Sequence, residues 1–124
     1  MDDRVRNKLL IAIGFADRIA TTLKRAKTQE GFIQDYDLQY SVVHSISQIA
    51  ENLAQVLQIE PGLSDQILKF VPYRSIRRMR DKIQHHYGTI DPDIVWGIAS
   101  QNVPELKLTL EEFLSADERQ SETK

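Results

Sequence analysis

The 124 residues contain no cysteine, which removes disulfide staples, cysteine-ligated zinc, iron–sulfur clusters and thiol nucleophiles together. Long apolar runs are missing as well. The longest uncharged stretch with real apolar density, Leu9 to Ala16, is about eight residues, against roughly twenty for a membrane span. The opening Asp2-Asp3-Arg4 lacks the basic-then-apolar order of a secretory signal. A soluble, cytoplasmic protein is therefore expected. Net charge is small too, at −2, so any attraction to nucleic acid must come from a local patch. Nowhere do β-branched and aromatic residues alternate with polar ones for more than a few positions, which leaves little signal for strands. What remains, 41% hydrophobic and 27% charged residues, suits one globular domain.

Helical spacing recurs instead. Val5, Leu9, Ile13, Ala16, Ile19, Leu23 and Ala26 step by three or four, with Asp2 or Asp3 available to cap the start. This helix ends near Lys27-Thr28. A short amphipathic piece around Glu30-Gly31-Phe32-Ile33 leads into a second long stripe of Leu38, Val42, Ile46, Ile49, Leu53 and Val56. Pro61-Gly62 stops it and Ser64 restarts a turn of helix. A third helix runs from Tyr73 through Ile76, Met79 and Ile83 towards Gly88. Asp91-Pro92-Asp93 reads as an N-cap, a first-turn proline and an acid near the positive dipole end. Ile94, Val95, Trp96 and Ile98 form the apolar side that follows, and a last helix carries Leu106, Leu110 and Phe113 or Leu114. The expected fold is all-α, a single-domain bundle of four to six helices over residues 1–116, with a frayed polar tail over 117–124.

Charge is concentrated in one place. Arg74, Arg77, Arg78, Arg80 and Lys82 crowd one helix, and with Lys69 and Asp81 residues 69–86 hold six cations against one carboxylate. That is a net +5, which leaves −7 for the rest of a chain whose total is −2. Such a helix suits phosphate neutralisation. On a wheel of about 100° per residue Ile76, Met79, Ile83 and Tyr87 face the core, while Arg80 and His85 diverge by about 140°. To act together they need either a distorted helix end before Gly88 or two chains meeting at an interface. Asp81 lies one i,i+4 step from His85, where a carboxylate can orient an imidazole.

Arg80-Asp81-Lys82-Ile83-Gln84-His85-His86-Tyr87 fits R-x4-H-x-Y, with Pro72-Tyr73 and Met79 before it. Ile90-Asp91, Ile94-Val95-Trp96 and Val103-Pro104-Glu105-Leu106 follow. In this setting the sequence resembles HEPN domains, and within them the HepT-like ribonuclease toxins of HepT/MntA type toxin–antitoxin systems. The resemblance is specific over residues 72–106 and thinner upstream, where Phe32-Ile33 and Ile49-Ala50-Glu51-Asn52 carry it. It implies a homodimeric endoribonuclease that needs no metal or other cofactor and pairs two motifs across a shared cleft. Arg80 and His85 would be catalytic, with Asp81, His86 and Glu51 auxiliary. Arg74, Arg77, Arg78 and Lys82 would bind RNA phosphates. It further implies a partner, an MntA-like nucleotidyltransferase antitoxin that neutralises the toxin by AMPylation of Tyr87.

Two other functions fit the same residues. Ser64 to Gln84 can be read as a DNA-binding helix-turn-helix, although its two helices are separated by a proline instead of the usual glycine turn. The chain can also be read as a non-catalytic accessory subunit that presents substrate to a nucleotidyltransferase. His44 has no partner in the sequence pattern.

Overall fold

A computed structural model describes residues 1–63 and 91–122. Asp2 starts the first helix: its Oδ1 accepts the Arg4 amide at 2.7 Å, satisfying one orphan donor of the first turn. The Arg4 guanidinium also reaches Asp2 Oδ2 at 2.9 Å, and these bonds hold the Asp2 carboxyl below its ordinary pKa. Helix α1 (Asp3–Ala26) ends at Lys27, which takes a left-handed φ of 68° while its amide donates to the Leu23 carbonyl at 3.1 Å. Thr28 caps α2 (Gln29–Ile33) through its hydroxyl, which accepts the Gly31 amide. Asp35 then caps α3 (Tyr36–Ile59), which a single 3-10 turn (Pro61–Leu63) terminates.

The turn between α1 and α2 leaves no room at Gly31. A Cβ there would stand 2.5 Å from the Ala26 carbonyl oxygen, a backbone atom that cannot swing away. Gly31→Ala is therefore expected to cost about 1–3 kcal/mol as an overpacking change, read as a lowered thermal midpoint with the helical circular dichroism of the native state retained.

The apolar stripes become the core. Val5, Leu9, Ala12, Ala16 and Ile19 of α1 meet Val42, Ile46, Ile49, Leu53 and Val56 of α3, all buried. Burying each large aliphatic side chain contributes about 1.5–3 kcal/mol. The two helices run antiparallel, since Lys8 bonds Gln55 while Phe15 lies against His44 further along. Ile13, Leu23 and Leu38, read as stripe residues, lie at the margin of the core and are half-buried.

After residue 91 the chain forms α4 (Pro92–Gly97), with Asp91 as N-cap accepting the Asp93 amide at 2.9 Å. Val95 and Ile98 face the core as expected, but Ile94 does not: it is 53% exposed, off the i, i+3, i+4 line of Val95, Ile98 and Ala99. The sequence suggests two separate helices here. Instead α4 passes through a π-helical turn (Ile98–Asn102) directly into α5 (Val103–Glu122), and the Val103 amide donates to Ile98 O five residues back. Pro104 explains this. It offers no N–H and its ring crowds the carbonyl four residues earlier, which a widened turn relieves without breaking the helix.

Leu106, Leu110 and Leu114 face inward, so of the last pair Leu114 is the core residue and Phe113 lies half-exposed. The helix runs on through Asp117 and Glu118, where the sequence reads as a frayed tail. These acids have partners at the other end of the chain. The terminal ammonium meets Asp117 Oδ1 at 3.1 Å and Arg6 meets Glu118 Oε1 at 2.7 Å. With Lys107 paired to Asp17 at 2.6 Å, they set α5 antiparallel to α1. The described residues are thus helical and strand-free, with α1 packed between α3 and α5. Among them no helix is long and apolar enough to cross a membrane.

Candidate functional site

Of the candidate site residues only Glu51 falls within the described part. Arg74, Arg77, Arg78, Arg80, Asp81, Lys82, His85, His86 and Tyr87 lie outside the described residues. The described helices form the frame of the site: α3, which carries Glu51, and the two points at residues 63 and 91 between which the motif segment runs.

The exit point is held by α2. Phe32, fully buried, packs against the Trp96 ring at 5.5 Å between centroids and 50° between planes. Gln29 Nε2 donates to Asp93 Oδ1 at 3.0 Å. Helix α2 is itself tied down by a residue that sequence patterning missed. Gln39 is buried, and its Nε2 donates to the Phe32 and Ile33 carbonyls at 3.0 and 2.7 Å, satisfying acceptors that a helix end leaves open. A glutamine inside an apolar stripe is the only sequence sign of it.

Glu51 is half-buried and supported from below. Lys8 Nζ donates to Gln55 Oε1, and Gln55 Nε2 donates to Glu51 Oε1 at 3.2 Å. At 100° per residue, Glu51 shares one helical face with Tyr36, Tyr40, Ser47, Ala54 and Gln58, all within about 60°. The two tyrosines on that face are 73% and 53% exposed. His44, also exposed, is not without a partner: its ring meets Phe15 edge-on at 6.1 Å, and the Arg18 guanidinium lies 5.1 Å from the centre of the same Phe15 ring. The exposed tyrosines fall outside the periodic apolar stripe, and that offset was their signal in the sequence.

A family model described as "Ribonuclease HepT-like" matches residues 12–113. The chain belongs to this family. The HepT-like match spans most of the described helices, the Glu51 face and the whole Arg80 to Tyr87 motif. Among curated proteins, "Putative RNase MJ0127" of Methanocaldococcus jannaschii is 31% identical over 97 residues, covering 77% of this chain and 75% of its own length. "Putative RNase MJ1216" of the same organism is 27% identical over 108 residues, covering 87% and 85%. "Probable ribonuclease HepT" of Thermococcus cleftensis is 28% identical over 78 residues, covering 63% and 67%. No solved structure matches this HepT-like chain.

Proposed function

We propose that this HepT-like protein is the toxin of a toxin–antitoxin pair, a homodimeric, metal-independent endoribonuclease of the cytoplasm. The observation that carries the reading is the Arg80-x4-His85-x-Tyr87 motif inside a ribonuclease family match of residues 12–113. The nucleophile is the RNA's own 2′-hydroxyl, so no metal-bound water has to be generated. His85 takes the proton of that hydroxyl as the 2′-oxygen bonds to phosphorus, and an imidazolium returns a proton to the departing 5′-oxygen. Arg80 stabilises the charge that gathers on the phosphoryl oxygens, a task for its planar fork of donors. The products are a 2′,3′-cyclic phosphate and a 5′-hydroxyl.

Pairing of two motif helices brings the divergent Arg80 and His85 of each chain into one cleft. Arg74, Arg77, Arg78 and Lys82 hold flanking phosphates, while Asp81, His86 and Glu51 orient the catalytic groups. AMP transferred to Tyr87 by an MntA-like nucleotidyltransferase antitoxin adds bulk and negative charge where the substrate phosphate belongs, and so silences the site.

Purified protein is expected to cut single-stranded RNA in excess chelator and to leave cyclic-phosphate ends; dependence on added Mg²⁺ or 5′-phosphate products would overturn the chemistry. Intact mass spectrometry after co-expression with the partner transferase should show added AMP units mapping to Tyr87. An unmodified protein that the transferase nonetheless inhibits would remove that part of the proposal.

A further inference from the structure

Three half-buried side chains tie α1 to the part of α3 that carries Glu51. Lys8 Nζ donates across the helix pair to Gln55 Oε1, and Gln55 Nε2, one turn along α3 from Glu51, donates to Glu51 Oε1 at 3.2 Å. The order of the groups matters. Among the described residues the Lys8 ammonium forms no ion pair with a carboxylate; it spends its charge on a neutral amide, and the amide meets the acid. An ammonium set directly on Glu51 would neutralise the group it held. The amide passes on an oriented donor and brings no charge of its own. Its orientation is fixed from behind: an ammonium can only donate, so it selects Oε1 of Gln55 and thereby turns Nε2 towards Glu51. Stability gives little reason for this arrangement, since a hydrogen bond at i, i+4 adds little to a helix and the half-buried ammonium gives up hydration for an uncharged acceptor.

We propose that Gln55 and Lys8 are positioning residues for RNA cleavage, a relay that holds the Glu51 carboxylate in one orientation while leaving its charge in place. This rests on the ribonuclease reading, in which Glu51 orients the catalytic groups. Both residues act through Glu51 and neither is asked to touch RNA. A free glutamate side chain samples several rotamers, and each turnover would bear the entropy of choosing one. A carboxylate fixed beforehand by its supporting hydrogen bonds avoids that cost.

Steady-state cleavage of single-stranded RNA by the full chain tests the relay. Gln55→Leu removes both bonds at similar size and is expected to lower kcat by about ten- to a hundredfold with KM unchanged. In a Glu51→Gln background the same change should cost nothing further, because no carboxylate is left to place. Gln55→Glu separates the relay from a purely structural tie. It keeps the link to Lys8 as an ion pair, and the thermal midpoint should stay within about a degree or two of the parent, but it offers Glu51 a like charge in place of a donor. Its loss in kcat should match that of Gln55→Leu. Lys8→Arg, which still donates to Gln55, should keep most of the activity, and Lys8→Met should not. A folded Gln55→Glu protein with the parental kcat overturns the relay. So does a Gln55→Leu loss that recurs in full in the Glu51→Gln background. The two readings fail separately. Wild-type protein that cuts no RNA ends the nuclease assignment and the purpose of the relay with it; wild-type cleavage that survives Gln55→Leu and Gln55→Glu unchanged ends the relay alone.

Discussion

His85→Ala should abolish RNA cleavage, lowering the rate by about 10²–10⁴-fold in single-turnover assays, with no change in the thermal midpoint. The upper end is expected because one imidazole type serves both proton transfers, so its removal takes away the base for the 2′-oxygen and the acid for the 5′-oxygen together. Arg80→Ala should cost about 10²–10³-fold, as for the loss of a charge-stabilising donor. Arg80→Lys should recover little of it, because an ammonium is a point charge without the planar pair of donors. The two alanine variants should lose toxicity when expressed in cells without the antitoxin. A folded His85→Ala protein that still cuts at the parental rate would end the assignment of His85, and a wild-type protein that cuts no RNA would leave the accessory-subunit reading in its place.

The largest stability effect is expected at Phe32→Ala. Phe32 is fully buried, is the one buried residue of α2, and packs on Trp96 of α4. Truncating a buried phenylalanine costs about 3–5 kcal/mol, the lost transfer energy plus the cavity left behind. For a chain of this length that is a fall in thermal midpoint on the order of 15 °C. Because the ring bridges α2 to α4, the helix that Asp91 caps, the variant should also redden Trp96 emission as water reaches the indole. A melt within a degree or two of the parent would show that α2 contributes little to holding α4.

Most of the helical framework was legible in the sequence, since a three-and-four step of apolar residues has one economical solution, a helix with that stripe inward. The caps were equally legible: Asp2, Lys27 and Asp91 lie where the pattern puts the helix ends. Less legible were features that depend on what lies across the bundle. Ile94 reads as core from its neighbours but faces solvent, and Gln39, which periodicity does not single out, closes the end of α2. The acids at 117 and 118 read as tail because their partners, the terminal ammonium and Arg6, are more than a hundred residues away in sequence. The π-turn before Pro104 needed both the proline and a continuous core face to keep the helix from stopping. Of the candidate site, the motif was legible as a string of residue types and Glu51 by its place beside Ile49-Ala50. The support of Glu51 by Gln55 and Lys8 was not.

By itself the sequence determined the all-helical class, the capped helix ends at Asp2, Lys27 and Asp91 and the family, because these follow from local spacing, local capping and a contiguous motif. Only the tertiary structure decided which helix lies between which, how α4 runs unbroken into α5, and which aromatic residues stay in water. Those depend on contacts between residues far apart in the chain, whose side chains carry no mark of which partner they will meet until the core has closed.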